Sequence, residues 1–274
     1  DWCKGLSSSL PNLEVLSLSS CQLSGPLKDS LENLKSLSVI RLDYNNLSAP
    51  IPNFFANLKN LTVMKLASCN LIGTFPEKVL QLQSLQTLDL ALNNNLSGSL
   101  PDFPINGSLQ SLVLSNTNLS GAIPESIGNL KNLSRINLRQ SNFSGRIPKS
   151  LEKLTHLSYI DFNSSIVSHL PKLYALNLAS CNLQKFPNLQ NHSTLMYVDL
   201  SDNNIPGEIP NWIWEVGNGG LLYMNVSHNQ LTGLEEPYTF PINLTCLDLH
   251  SNNLSGVIHV PPIMTTYIDY SNNR

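Results

Sequence analysis

Two stretches, LSVIRLDYNNLSAPIP (Leu37 to Pro52) and LQSLVLSNTNLSGAIP (Leu109 to Pro124), decide the fold. With few exchanges both follow one formula, L-x-x-L-x-L-x-x-N/C-x-L-x-G-x-I/L-P. The leucines that open it stand at 13, 37, 61, 85, 109, 133 and 157, six equal steps of 24 residues. Beyond Leu157 the steps become 16, 22, 26, 23 and 21, anchored at Leu173, Leu195, Leu221, Leu244 and Thr265, so the chain holds twelve units. A fixed period of this length is the mark of stacked repeats. Within each unit, L-x-L alternates with period two, as a short strand does when one of its faces is buried. A unit of this kind buries its apolar face only against its neighbours.

The expected fold is therefore an α/β-type leucine-rich repeat solenoid of about 12 repeats, with a curved parallel β-sheet on the concave face and an irregular or 3-10 convex side. The asparagines that follow the strands (Asn45, Asn93, Asn203, Asn229, Asn252) are placed to pair loop backbone groups otherwise left without partners. Composition agrees. Leu, Ser and Asn supply 50, 35 and 34 of the 274 residues, 119 in all, and only 13% are charged, against about 25% in ordinary domains. An apolar share of 41% argues against disorder. No apolar run reaches the roughly 18 to 20 residues of a membrane helix, and no signal peptide opens the chain at Asp1-Trp2-Cys3. Residues 1–156 read as regular 24-residue repeats, 157–172 as a short irregular junction where repeats have been lost, and 173–274 as repeats of irregular length with a truncated C-terminus.

Cys21, Cys69 and Cys181 fall in the ladder-asparagine column, where a buried thiol is expected to replace the amide. At about 4.8 Å per strand, Cys21 and Cys69 are too far apart for a disulfide. With no C-x-x-C and no clustered Cys/His spacing, no metal site is expected, nor any cofactor. Twelve N-x-S/T sequons, at Asn46, Asn60, Asn95, Asn106, Asn118, Asn132, Asn142, Asn163, Asn191, Asn225, Asn243 and Asn253, are glycan acceptors if the chain is secreted. N-L-S-G is also the loop consensus, which multiplies sequons by itself.

No enzyme is expected. The six histidines (156, 169, 192, 228, 250, 259) sit at unrelated repeat positions, and no nucleophile, zinc or phosphate motif is present. Asp161, Asp199, Asp248 and Asp269 share one strand column, but a solvated strand face lacks the apolar pocket that acid catalysis by a carboxyl group needs. A net charge of −3 with no basic run excludes nucleic-acid binding.

Recognition by the concave face remains. Its outward columns present Arg41, Asp43, Tyr44, Lys65, Arg135, Arg139 and Gln140, then Tyr159, Asp161, Tyr197, Asp199, Asp202, Tyr223, His228, Asp248, His250, Tyr267 and Asp269. Residues 1–156 hold 13 basic and 10 acidic residues, or +3; residues 157–274 hold 3 and 9, or −6. Tyrosines backed by aspartates suit a protein or peptide ligand. Arg41, Lys65, Arg135, Arg139, Tyr159, Asp161, Tyr197, Asp199, Tyr223, His228, Asp248 and His250 are the candidate ligand contacts.

The G-x-I-P step (LSGAIP, 119–124; FSGRIP, 143–148; IPGEIP, 205–210) is similar to that of plant leucine-rich repeats. Longer stretches, among them SLPNLEVLSLSSCQLSGPL (9–27), FANLKNLTVMKLASCNLIGTFP (55–76) and IPNWIWEVGNGGLLYMNVSHNQL (209–231), resemble plant cell-surface receptor-like proteins. The Verticillium wilt resistance receptor-like proteins are the group they most resemble. The resemblance implies an ectodomain on the extracellular face of the plasma membrane, apoplastic if secreted, whose membrane anchor lies outside this chain. It also implies a pathogen-derived protein or peptide ligand, and co-receptor and adaptor leucine-rich-repeat kinases through which signalling passes. The alternative is a soluble leucine-rich-repeat inhibitor of microbial cell-wall-degrading enzymes, similar to the polygalacturonase inhibitors.

Overall fold

The structure, a computed structural model, describes residues 2–144, 148–162, 173–181 and 183–274. The proposed junction, from 163 onward, and the Asn163 sequon lie outside the described residues. The chain forms two compact units, Asp1–His156 and Leu157–Arg274.

In the first unit six three-residue strands run parallel in sequence order: Val15–Ser17, Val39–Arg41, Val63–Lys65, Thr87–Asp89, Ser111–Val113 and Arg135–Asn137. Their register repeats the sequence period, with Val15 opposite Val39, then Val63, Thr87, Ser111 and Arg135. The middle residue of each strand points inward. Ile40, Met64, Leu88, Leu112 and Ile136 are all 0% exposed; burying a side chain of this size contributes about 1.5 to 3 kcal/mol. The prolines of the G-x-I-P step take extended backbone immediately before short 3-10 helices. Pro52, for example, has φ −66 and ψ 141 just ahead of Asn53–Asn57. Glu77–Gln81, Glu125–Asn129 and Lys149–Lys153 follow Pro76, Pro124 and Pro148 in the same way. A ring-locked φ pre-sets the entry to each helix.

The N-L-S-G segments, expected as loops, form a second parallel sheet in this unit from Ile72–Thr74, Asn93–Ser99, Thr117–Gly121 and Asn142–Phe143. A Trp2–Ser9 helix precedes the first strand and buries Cys3 at 1% exposure.

In the second unit the strands Tyr159–Asp161, Ala175–Asn177, Tyr197–Asp199, Tyr223–Asn225, Cys246–Asp248 and Tyr267–Asp269 are again parallel and in sequence order. Tyr159 pairs with Ala175 despite the short step, and the row continues through Tyr197, Tyr223, Cys246 and Tyr267. Pro206–Ile209 and Gln230–Leu234 pair behind them, and Asn211–Glu215 is a 3-10 helix after Pro210.

The ladder asparagines act as expected. Asn93 accepts hydrogen bonds from the Cys69 and Leu71 amides at 3.1 and 2.9 Å and donates to the Leu66 and Leu90 carbonyls at 2.9 and 2.8 Å. Asn45 and Asn203 repeat this pattern of four bonds, and Asn273, not singled out from sequence, accepts from Leu254 and donates to Leu249 and Tyr270. Cys69 and Cys181 occupy the same column as buried thiols, donating to Leu42 O at 3.0 Å and Phe162 O at 2.9 Å. Burial pushes the Cys69 thiol up to about 11. Cys21 departs from the expectation because it is exposed. It follows Val15–Ser17, the outermost strand of the described row.

Candidate ligand-recognition surface

The first and third residues of each strand face away from the core, and they make the surface that the sequence singled out. In the first unit Arg41 is exposed, while Lys65, Arg135 and Arg139 are half-buried. Asp89, next to Lys65 across the register, is raised above its ordinary carboxyl range. Burial dominates, and the opposing pull of Lys65 and Arg135 does not offset it.

The aspartates and asparagines at the third strand position do something the sequence reading missed. Their Oδ1 atoms accept the backbone amide two residues ahead: Asp199 from Ser201 at 3.0 Å, Asp248 from His250 at 3.2 Å, and Asp269 from Ser271 at 2.8 Å. Asn137, Asn177 and Asn225 do the same at 2.9 to 3.1 Å. A short polar side chain bonded to its own backbone in this way holds a turn. That turn carries the next residue into the left-handed region, at φ 54 for Asp202 and 51 for His228. The column is therefore structural before it is a ligand surface. Nor is it fully solvated: Asp161 and Asp248 are 2% and 8% exposed, and Asp248 folds back onto its turn through the His250 amide. Tyr159 covers the first of them, its hydroxyl donating to Asp161 Oδ2 at 3.2 Å.

The second unit gathers aromatics. Tyr174 meets Tyr197 with ring centroids 5.3 Å apart, and Tyr197 stacks on Tyr223 at 6.3 Å and 28°. Tyr174 and Tyr197 are 47% and 38% exposed. Tyr174 precedes its strand and lies outside the alternating column, so the pattern gave no cue to it. A hydrogen bond with Tyr197 is the main cause of its raised phenol; burial raises Tyr223, and the neighbouring Asp248 charge raises Tyr267. Asp269 is held below the carboxylate range, first by the Ser271 hydroxyl and then by its amide.

His228 and His250, in different columns of consecutive repeats, meet diagonally with Nε2 atoms 2.9 Å apart. Reading the histidines as unrelated overlooked this contact, which spans 22 residues of sequence.

Of the sequon asparagines, Asn46, Asn60, Asn95, Asn106, Asn118, Asn132, Asn142, Asn191 and Asn243 are exposed. Asn225 and Asn253 are half-buried. Asn225 lies in the recognition face itself, with its amide donating to the Tyr223 hydroxyl at 3.4 Å.

Comparison with known proteins agrees with this fold. The Leucine Rich Repeat family model matches residues 12–34, 36–58, 108–130, 194–216 and 243–262. Receptor-like protein 39 of Arabidopsis thaliana is 33% identical over 98% of this chain and 32% of its own length. Among solved structures, a TDR receptor superposes with TM-score 0.67 at 26% identity, over 92% of this chain and 46% of that one. The plant peptide hormone receptor RGFR1, in complex with RGF2, superposes with TM-score 0.61 at 25% identity, over 98% and 53%. The chain is a leucine-rich-repeat solenoid. Within that class it belongs with the plant leucine-rich-repeat receptor-like proteins, spanning about a third of the length of Receptor-like protein 39. Among the described residues no helix is long and apolar enough to cross a membrane.

Proposed function

We propose that this chain is a ligand-recognition part of an extracellular plant receptor-like protein, and that the outward strand face of its second unit binds a peptide or an extended protein segment. The observation that carries the reading is the row Tyr174, Tyr197 and Tyr223, packed ring to ring and left partly open to solvent. Exposed tyrosines offer large contact area with little rotamer freedom to lose, and they are enriched among the residues that dominate binding energy. The likeness to a peptide hormone receptor solved with its peptide supports a peptide ligand.

A pathogen as the ligand's source, co-receptor and adaptor kinases as partners, and glycans on the exposed sequons follow from the resemblance to receptor-like proteins. The narrower likeness to the Verticillium wilt group rests on the quoted segments alone. The turn-forming use of the strand aspartates favours binding over carboxylate catalysis, because Oδ1 of Asp199, Asp248 and Asp269 is already engaged.

The test is the affinity of a peptide isolated by selection on the intact chain. Tyr197→Ala with Tyr223→Ala removes two ring faces, each carrying about 1 to 2 kcal/mol at a well-packed contact, so affinity is expected to fall at least about 30-fold. Unchanged affinity in a variant with wild-type circular dichroism overturns the assignment of this face.

A further inference from the structure

We infer that His228 and His250 form a binding site for a divalent first-row transition ion, with Asp248 as the orienting group. The geometry starts at Asp248, at the end of the Cys246–Asp248 strand, whose side chain is 12% exposed. Its Oδ1 lies 2.6 Å from His250 Nδ1. A carboxylate only accepts, so the imidazole donates its Nδ1 hydrogen. That fixes the tautomer and leaves a lone pair on Nε2. A histidine that ligates a metal is commonly arranged in this way, its second nitrogen tied to a carboxylate that orients the ring and raises its basicity.

That Nε2 lies 2.9 Å from a second imidazole nitrogen, His228 Nε2, within hydrogen-bond distance. Two nitrogens bound to one ion at about 2.0 to 2.1 Å, at angles between square and tetrahedral, are themselves separated by about 2.9 to 3.4 Å. The observed distance falls at the short end of that range. Carboxylates lie beside the ring as well, because Asp248, His250 and Asp269 each place a ligand atom within 4.8 Å of the others. Asp269 is the register partner of Asp248 on the neighbouring strand. A pair of imidazoles selects ions such as Zn2+, Cu2+ or Ni2+ over Mg2+ and Ca2+, which prefer all-oxygen sets. The turn conformation supports the arrangement. The left-handed φ of 51 at His228 is set by the repeat, as is the hydrogen bond that anchors His250 N to Asp248. The pair is held by backbone before any ion arrives. With two protein donors, coordination positions stay open toward the recognition face, where water or a ligand side chain can fill them.

The test uses the full 274-residue chain, freed of metal by chelation and titrated with Zn2+ by calorimetry at pH 7.4, with Co2+ absorption as an independent readout. One saturable equivalent is expected. His250→Ala and His228→Ala each weaken it by at least about tenfold, and Asp248→Asn, which keeps a side-chain oxygen for the turn, weakens it by about 10- to 100-fold. Circular dichroism checks that each variant is folded. The inference is overturned if the wild-type chain shows no saturable binding below millimolar Zn2+. It is overturned equally if the folded double variant binds as tightly as wild type, since the ion is then held elsewhere. Neither result bears on the tyrosine row, whose test uses no metal.

Discussion

Substituting Asn93 by alanine tests the reasoning that ties the repeat's sequence to its stability. Asn93 is 1% exposed, and its amide makes its four shortest hydrogen bonds to the amides of Cys69 and Leu71 and the carbonyls of Leu66 and Leu90, with a longer shared one to Ala91 O at 3.2 Å. A net contribution of about 1 kcal/mol per hydrogen bond gives about 4 kcal/mol for the set, and each buried group left unpaired costs about 1 to 3 kcal/mol. Water entering the space left by the side chain recovers part of this, so Asn93→Ala is expected to destabilise its repeats by about 3 to 4 kcal/mol. The chain contains its own control. At the equivalent position Cys69 keeps one donor, to Leu42 O at 3.0 Å. Asn93→Cys should therefore retain one donor bond, lose the other and both acceptor bonds, and cost about three quarters as much. Because a solenoid's stability sums over neighbouring units, a single global transition is a blunt readout. Native-state hydrogen exchange at the Cys69 and Leu71 amides is local. At about 1.4 kcal/mol per factor of ten, exchange there should quicken by about two orders of magnitude or more in the alanine variant. Exchange at both amides within a factor of two or three of wild type would refute the ladder argument.

Asp89 provides a pH-dependent test. Its folded-state pKa is raised, first by burial. The protonated form is therefore favoured in the fold, and the penalty, absent below the unfolded value near 3.8, builds as pH rises through the folded value. Asp89→Asn keeps an oxygen for the Ala91 amide, now accepted at 3.1 Å, as Asn137 and Asn177 already do for theirs. The variant should match or exceed wild-type stability at pH 7 in urea unfolding, with any gain vanishing by about pH 3; a loss at neutral pH contradicts the burial argument. Thiol chemistry tests the cysteine column: Cys21 is exposed, whereas Cys69 is buried with its thiol pushed up to about 11. In the native chain at pH 8, iodoacetamide followed by peptide mass mapping should label Cys21 fully before Cys69 reacts, because the thiolate is the nucleophile. Equal rates would contradict the column's burial.

Much of the fold was legible because the period places apolar residues and the ladder amide in one register, as the pairing of Val15, Val39 and Val63 shows. The equal 24-residue steps still conceal an irregularity. Between Leu85 and Leu109 the ladder Asn93 is three residues from the next leucine, Leu96, where Thr117 and Leu119 are separated by two. The span from Leu96 to Leu109 is one residue shorter than that from Leu119 to Leu133. The insertion and the deletion cancel in the count and appear separately in the structure. The strand Asn93–Ser99 slips register against Thr117–Gly121 between Asn93 and Ser97, and residues 101–108, all described, form no 3-10 helix.

The recognition surface was less legible, for a different reason. A column lists side chains that share a strand position, but contacts on a twisted sheet also run diagonally and along a single strand. Tyr174 precedes its strand yet packs on Tyr197. His228 and His250 occupy different columns and meet all the same. The strand aspartates were read as facing solvent, but their Oδ1 atoms bind the backbone two residues on. This last correction separates two roles within one outward column: asparagine can supply the turn as well as aspartate does. The choice of aspartate at 199, 248 and 269, where asparagine would suffice for folding, leaves negative charge on the face that holds the tyrosines. In a unit whose sequence sums to −6, that charge favours a ligand segment bearing lysine or arginine, which can pair with carboxylates and lie against tyrosine rings at once.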